Sequence, residues 1–321
     1  MIKKIKAMTP LWLKDIYRSF QSRFKCLFSA HIPNRDVISG HWNMDISIPE
    51  TEKKVFLQSA LMGTVDLAIE TPHINVLLCA QPKSASLYIL KLLSSSLGFK
   101  DHKIGFNHSG GELYYPRVLS SKYSGENTVS HCHAEATPQV RKIITALNVR
   151  PIILTRNLLD SLVSRRDMLL RDKWANDIIS QQAVDAFVSG SHEYQMDVII
   201  DLYATEYMNF FEGWQQYKDD ETLNPIYITY QQLIDDEVGL VQRVAKELNV
   251  DIADEVIEDT SAKISKAGGI NFSTGIVGRG RKSFSDSQIN LLRMKAKMIG
   301  CLDENFLGFE LDQQSDALDE K

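Results

Sequence analysis

The stretch INVLLCAQPKSASLYIL, residues 74–90, decides the fold. It begins with an apolar run that predicts a buried strand, and from Tyr88 onward its apolar residues have the spacing of a helix. A short polar loop with a single lysine, Lys83, joins the two. Such a loop can cradle a phosphate or sulfate, because the free N–H groups at the start of a helix point at the anion. Ser84 and Ser86 add hydroxyl donors, and Lys83 adds a full positive charge.

A second junction of the same kind lies further along the chain. The run RPIILT, residues 150–155, predicts another buried strand, and RNLLDSLVSRR, residues 156–166, turns into a helix. Together the two junctions resemble the sulfotransferase family that uses PAPS (3′-phosphoadenosine 5′-phosphosulfate). In that family a Pro-Lys-Ser-Gly-Thr-Thr loop holds the 5′ phosphosulfate, and an Arg-Asn-Pro-x-Asp-x-x-x-Ser segment holds the 3′ phosphate. Lys83 falls on the family lysine, and Arg156 and Ser164 fall on its arginine and serine, eight residues apart.

The resemblance implies a PAPS-binding site drawn from several parts of the chain. Tyr88 falls where the family has a tryptophan that stacks on adenine, and Tyr230 falls where a family tyrosine approaches the same base. A core aromatic is an equally good interpretation of both. The segment GIVGRGRKSFS, residues 275–285, partly matches a third nucleotide segment, and which of its basic residues contacts the 3′ phosphate stays open. The predicted cofactor-binding residues are Lys83, Ser84, Ala85, Ser86, Leu87, Tyr88, Arg156, Ser164, Tyr230, Gly278, Arg279 and Arg281, with Lys282 as a further basic candidate.

Two histidines are candidates for the general base, since the pKa of histidine lies near the working pH. The strand-like run TVSHCH, residues 128–133, contains both. His133 lies 23 residues before Arg156, which is closer to the family spacing than the 25 residues of His131, so His133 is favoured. Strand alternation puts both on one face, and a structural hydrogen bond in the sheet is the alternative for either. At the position of His131 the family's soluble animal enzymes carry a lysine, so His131 is a candidate for stabilising the sulfonate, while Lys83 suits the leaving phosphate.

Several residues depart from the family pattern, among them Gln231-Gln232, which replace an acidic pair after the strand at 225–230. Ala85 stands where the family loop has glycine, so we expect a backbone angle there that alanine tolerates. Leu158 replaces the proline of Arg-Asn-Pro. These departures are typical of divergent, soluble, bacterial-like members, and they leave the sulfate acceptor open.

Composition excludes several classes of protein. The chain has 321 residues, of which 44% are hydrophobic and 24% charged, and its formal net charge of −5 argues against general nucleic-acid binding. Its four cysteines lack metal-ligand spacing and are typical of reduced thiols. No apolar run reaches the roughly 20 residues of a membrane span, and no signal peptide is evident. We therefore expect a cytoplasmic protein, and the resemblance implies an enzyme that needs no metal.

The alternation of strands and helices predicts one α/β domain of the P-loop type, with a central parallel sheet flanked by helices. Further predicted elements are strands at 128–133 and 225–230, helices at 49–70, 137–148, 201–217 and 238–248, and an aperiodic loop at 99–127. The sulfotransferase domain should span 49–311. A basic amphipathic extension, 1–48, precedes it and a disordered acidic tail, 312–321, follows. Residues 1–27 fit a helix packed on the domain better than one lying on a membrane surface.

The resemblance implies a sulfotransferase that moves the sulfuryl group of PAPS to a hydroxyl acceptor and releases adenosine 3′,5′-bisphosphate (PAP). The acceptor is a small molecule, a carbohydrate or a lipid, and the sequence predicts neither its identity nor the oligomeric state. The alternative enzyme is a P-loop kinase, which the absence of a Gly-x4-Gly-Lys-Ser/Thr pattern and the presence of Arg156 and Ser164 disfavour. The other alternative, a non-catalytic nucleotide-binding domain, is disfavoured by Lys83 and the two histidines.

Overall fold

Five strands form a parallel sheet at the centre of the structure, in the order β2-β3-β1-β4-β5. The strands are β1 (Asn75–Ala80), β2 (Lys100–Asp101), β3 (Thr128–Cys132), β4 (Arg150–Thr155) and β5 (Ile226–Thr229). The computed structural model describes residues 72–102, 125–172, 181–267 and 277–311, which all lie in one compact unit of the chain. The predicted α/β fold with a central parallel sheet is confirmed.

Helices connect the strands. They are α1 (Ser86–Leu97), α2 (Pro138–Ala146), α3 (Leu158–Asp172), α4 (Gln181–Ser189), α5 (His192–Ile199), α6 (Thr205–Gln215), α7 (Tyr230–Asp235), α8 (Glu237–Glu247), α9 (Asp254–Ala267), α10 (Asp286–Ile299) and α11 (Glu304–Leu307). The start of α2 has the usual capping residues of a helix N-terminus. The Thr137 side chain accepts from the Val140 N–H, and Pro138 occupies the first turn.

Helices cover both faces of the sheet, which explains why β1 is a continuous apolar run. Val76, Leu78 and Ala80 pack in one cluster with α1 and α8. Leu77 and Cys79 alternate with them and pack in a second cluster with α2 and α6. A third apolar cluster joins α3, α5 and α10.

The topology brings the predicted site residues to one edge of the sheet. β1 is central, with β3 on one side and β4 on the other, so the order of the strands reverses beside β1. In open parallel sheets a ligand binds at the carboxyl ends of the strands near such a reversal. Both predicted anion-binding junctions and both histidines lie at or just past the carboxyl ends of β1, β3 and β4, which we call the carboxyl edge.

Two elements differ from the sequence prediction. The segment 99–127, predicted as a loop, begins with the short strand β2, because two residues are too few to show a periodic pattern. The helix predicted at 201–217 begins with a π-helical turn, Ile200–Ala204, before α6, and a single wider turn leaves no mark in the apolar spacing. The predicted helix at 49–70, the N-terminal extension and the acidic tail lie outside the described residues and stay predictions.

Candidate functional site

The loop between β1 and α1 has a strained backbone. Lys83 and Ala85 both adopt left-handed angles, with φ of 71° and 66°. Alternating left-handed residues turn successive N–H groups toward a common point and form a concavity for anions. The hydroxyl of Ser84 is buried and donates to the Gln81 carbonyl oxygen at 2.6 Å, so it holds the loop in shape.

The angle at Ala85 corrects one expectation. The sequence predicted a conformation that alanine tolerates, but Ala85 lies in the left-handed region that glycine favours, at φ 66° and ψ 28°. An L-residue pays about 1–2 kcal/mol there. Its carbonyl accepts the N–H groups of Tyr88 and Ile89 at 3.0 and 3.1 Å, so the first turn of α1 holds the residue in place. The loop therefore keeps the glycine-type shape without the glycine.

The first turn of α1 includes two residues that were predicted to bind the nucleotide, Ser86 and Leu87. Ser86 is buried, whereas the Leu87 side chain is 56% exposed. The N–H groups of these two residues belong to the first helical turn, which has no intrahelical acceptor for them. They can donate to an anion held by the loop.

Arg156 connects the two predicted anion-binding junctions. Its Nη1 donates to the carbonyl oxygen of Lys83 at 3.0 Å, and its guanidinium carbon lies 4.1 Å from the centroid of the Tyr230 ring. Its side chain is buried, and its Nε has no hydrogen-bond partner among the described residues. Burial lowers the pKa of Arg156, and the charge of Arg279 lowers it further. Arginine remains charged in proteins, so the site holds a desolvated cation.

Both tyrosines predicted to contact adenine are buried. The Tyr88 hydroxyl donates to Glu237 and lies 3.1 Å from the Ser261 oxygen, while its ring belongs to the cluster between the sheet and α8. Burial, with a smaller contribution from Glu237, raises its pKa to about 12. Tyr230 lies under Arg156 in the same cluster. These positions favour the core-aromatic interpretation for Tyr88 and make Tyr230 a support for Arg156.

Asp160, on α3, binds the third predicted nucleotide segment through two hydrogen bonds. Its two carboxylate oxygens accept the N–H groups of Gly278 at 2.8 Å and Gly280 at 2.7 Å. A Cβ at Gly280 would lie 2.5 Å from the Leu159 carbonyl carbon, so only glycine fits. Asp160 was assigned no role in the site from the sequence. Ser164, one helical turn further on, is buried on the same helix.

The structure distinguishes the three basic residues of that segment. Arg279 pairs with Asp167 at 2.9 Å, is largely buried, and lies near enough for its charge to affect the pKa of Arg156. Arg281 is exposed and pairs with Asp286 at 3.3 Å. Lys282 is exposed as well. Of the three, Arg279 therefore has the position that best fits an anion beside Arg156.

His133 lies just past β3 and contacts the end of β1. Its Nδ1 is 2.6 Å from the Ala80 carbonyl oxygen. A carbonyl can only accept, so Nδ1 carries the proton and Nε2 keeps its lone pair, the form that a general base needs. Burial lowers its pKa, and the positive charges of Arg165 and Lys83 lower it further, against the opposing effect of the Ala80 hydrogen bond.

His131 is a neutral neighbour of His133. The two rings are perpendicular, with centroids 4.9 Å apart. Burial, with a smaller effect of His133, lowers the pKa of His131 to about 3. Its buried Nε2 has no hydrogen-bond partner among the described residues. An imidazole with this pKa supplies no positive charge at neutral pH, so any help to a sulfonate must come from a hydrogen bond.

Arg165 was not singled out from the sequence. Its guanidinium carbon lies 4.3 Å from the centroid of the Tyr203 ring, and its charge acts on His133. The signal available in the sequence was the pair Arg165-Arg166 directly after Ser164, but helix periodicity alone does not tell which arginine faces the site. Within the described ranges, no cluster of histidine, cysteine and carboxylate side chains could hold a metal ion.

Comparison with known protein families and solved structures identifies proteins that are similar to this chain. A family model described as the sulfotransferase domain matches residues 74–273, which is more than half of the chain. No curated protein matches the sequence.

Several solved structures are similar to this chain at low sequence identity. A mouse sulfotransferase, SULT7A1, complexed with PAP has 15% identity and a TM-score of 0.53, covering 76% of this chain and 93% of its own. A retinol dehydratase in complex with retinol and PAP has 13% identity and a TM-score of 0.45, over 76% and 85% of the two chains. A sulfotransferase from Alicyclobacillus acidocaldarius has 12% identity and a TM-score of 0.38, over 72% and 93%. At 15% identity, the likeness to the mouse sulfotransferase concerns the fold alone.

Proposed function

This chain belongs to the sulfotransferase family, and we propose that it transfers the sulfuryl group of PAPS to a hydroxyl acceptor through Lys83, His133 and Arg156. One observation carries the proposal: these three residues are linked to one another at the carboxyl end of β1. Arg156 donates to the Lys83 carbonyl, the charge of Lys83 acts on His133, and His133 donates to Ala80.

The residues present fit a nucleotide with both 5′ and 3′ phosphates. The left-handed angles at Lys83 and Ala85 shape a concavity for an anion at the start of α1. Arg156 is a buried cation whose Nε lacks a partner among the described residues, which suits a phosphate that completes its fork of donors. Arg279 adds a second positive charge nearby. We assign Ser164 and the N–H groups of Ser86 and Leu87 to the same nucleotide site.

The chain supplies the proton transfer and the charge stabilisation. Nε2 of His133 takes the proton of the acceptor hydroxyl, because Nδ1 already carries a hydrogen. The ammonium group of Lys83 neutralises the negative charge that grows on the leaving phosphate. PAPS itself supplies the activated sulfuryl group. His131 is neutral, so we limit its role to a hydrogen bond.

The acceptor and the compartment are also proposals. We propose a small-molecule, carbohydrate or lipid hydroxyl as the acceptor, since His133 offers a neutral base and not a charged contact. We propose a cytoplasmic location, supported by the free thiols of Cys79, Cys132 and Cys301, which are typical of a reducing compartment. Among the described helices, none is long and apolar enough to cross a membrane.

A mass-spectrometric screen tests the activity. The purified protein is incubated with a cell extract and PAPS that carries heavy sulfur, and new products with the isotope are sought. We expect sulfated products that require PAPS and disappear with the His133→Ala variant. If no product carries the isotope, or if the protein does not bind PAPS, the proposed function is wrong. If wild-type and variant protein give the same sulfated products, only the assignment of His133 as the base is wrong.

A further inference from the structure

Gln81 occupies the point where the two anion-binding junctions meet. It is the first residue after β1, directly before the Pro82-Lys83 pair, and it has 0% exposed surface. The sequence pattern assigns it no role. A fully buried amide side chain at the end of an apolar strand needs partners, since an unsatisfied one costs about 1–3 kcal/mol.

The side chain of Gln81 bridges to the second junction. Its Oε1 accepts the backbone N–H of Arg156 at 3.0 Å. Its Nε2 donates to the Ser161 hydroxyl oxygen at 3.0 Å. Both partners belong to the segment that leads from β4 into α3. The amide therefore links the end of β1 to the junction of β4 and α3.

The backbone of Gln81 holds the first junction. Its N–H donates to the Leu154 carbonyl at 2.9 Å, which extends the β1–β4 ladder by one step. Its carbonyl accepts the buried hydroxyl of Ser84 at 2.6 Å. One residue thus makes four hydrogen bonds that reach both the loop of Lys83 and the start of the Arg156 segment. The residues that make these direct contacts are all buried.

We propose that Gln81 is a positioning residue that fixes the distance between the Lys83 loop and Arg156, and so sets the preference for a nucleotide carrying both a 5′ and a 3′ phosphate. The inference rests on the proposed function, because it concerns the same nucleotide. The physical reason is that two anion sites bind one ligand well only if their separation matches the ligand. Gln81 acts through Arg156, whose backbone it holds, and does not itself reach the ligand.

The test compares the affinities of PAP and AMP by calorimetry. Gln81→Met removes both side-chain hydrogen bonds at nearly constant volume. We expect the ratio of PAP to AMP affinity to fall about fivefold, the worth of one ordinary hydrogen bond, with AMP affinity nearly unchanged. Ser161→Ala removes only the Nε2 bond and should lower the ratio about threefold. In an Arg156→Ala background, Gln81→Met should lower it no further, because the positioned group is gone.

Gln195→Met is the matched control. Gln195 is also buried, donates through Nε2 to Phe187 and Gly190, and accepts from Arg166. The Gln195→Met variant should lose thermal stability and keep the wild-type ratio of PAP to AMP affinity. The inference is wrong if Gln81→Met keeps the wild-type ratio of PAP to AMP affinity, or if Gln195→Met lowers that ratio by as much. It is also wrong if Gln81→Met still lowers the ratio in the Arg156→Ala background.

Two outcomes separate this inference from the proposed function. If Gln81→Met does not fold, Ser161→Ala decides, and an unchanged ratio in that variant overturns the inference. If the wild-type protein shows no preference for PAP over AMP, the proposed nucleotide site is wrong. If the wild type prefers PAP and the Gln81 and Ser161 variants prefer it equally, only the role of Gln81 is wrong.

Discussion

The carboxyl edge has two sides that differ in charge. The cationic side consists of the β1–α1 loop and the β4–α3 junction, with Lys83, Arg156 and Arg279. The histidine side is the end of β3, where His131 and His133 are partly buried and have lowered pKa values. Burial acts on both sides, but it leaves the arginines charged and the histidines neutral, because only histidine can lose its proton near pH 7.

This difference assigns separate tasks to neighbouring groups. A cation that stays charged can stabilise a phosphate throughout a reaction, and an imidazole that stays neutral can accept a proton. The two sides also interact, since the charges of Lys83 and Arg165 lower the pKa of His133. The positive charges therefore favour the neutral form of His133, which is the form that the proposed base needs. The five predictions below test this division.

Loss of the base should have the largest effect. His133→Ala should reduce turnover about 10²–10⁴-fold, the usual contribution of a general base, because no other group then takes the proton. Nucleotide binding should stay close to wild type, because the cationic side is intact. Steady-state kinetics and calorimetry with PAP measure the two quantities.

His131→Ala is the control for this variant. It removes a neighbouring imidazole from the same strand face and should leave a measurable rate, because its pKa of about 3 and its burial leave it only a hydrogen-bonding role. If His131→Ala is the inactive variant, the roles of the histidines are exchanged. If neither matters, the proton leaves by another route.

Loss of the leaving-group cation should come next. Lys83→Ala should reduce turnover about 10²–10³-fold, as removal of a preorganised charge does, and should weaken PAP binding much less. Rates and affinities are compared with those of Lys91→Ala, an exposed lysine on α1, which should behave like the wild type. Wild-type turnover in Lys83→Ala would show that the charge has no part in the reaction.

Arg156 should affect binding more than rate. The wild-type protein should bind PAP far more tightly than AMP, and Arg156→Ala should reduce that difference by about 1.5–3 kcal/mol, the worth of a hydrogen bond to a charged group. Calorimetry with both nucleotides measures it, and AMP serves as the internal control. Equal affinities of the wild type for the two nucleotides would contradict the assignment of the 3′ phosphate to Arg156 and Ser164.

The pH profile tests the influence of the cationic side on the base. Because the pKa of His133 is lowered from 6.5, its imidazole stays neutral to lower pH, and kcat/KM should fall only below that ordinary value. Removing a nearby positive charge raises the pKa, so Arg165→Met should move the acidic limb upward by a fraction of a pH unit. If the acidic limb of the profile moves to lower pH, or does not move, the charge of Arg165 does not affect the pKa of the base.

Much of the cationic side could be predicted from the sequence, because local patterns determine it. A buried strand followed by a polar loop and a helix is visible in one window of residues, and this placed Lys83 and Arg156 at the carboxyl edge. The order of neighbouring strands then brought His133 to the same edge. The catalytic and binding roles of these residues stay predictions until the variants are measured.

The supporting contacts could not be predicted, because their partners are far apart in the chain. Asp160 accepts from Gly278, 118 residues away, and Gln81 accepts from Arg156, 75 residues away. A single sequence gives no signal for such pairs. The angle at Ala85 was missed for a related reason, since the surrounding loop imposes a conformation that the residue itself disfavours.

The smallest expected effect concerns the strain of the cationic side. Ala85→Gly should raise the free energy of unfolding by about 0.5–1 kcal/mol, because glycine relieves the left-handed strain but gives the unfolded chain more freedom. Chemical denaturation measures the change. Ala262→Gly, at an exposed position within α9, should instead lower stability by about 1 kcal/mol, since glycine is unfavourable inside a helix. Opposite signs in the two variants would show that the loop stores strain to shape its anion site, and equal losses would show that it does not.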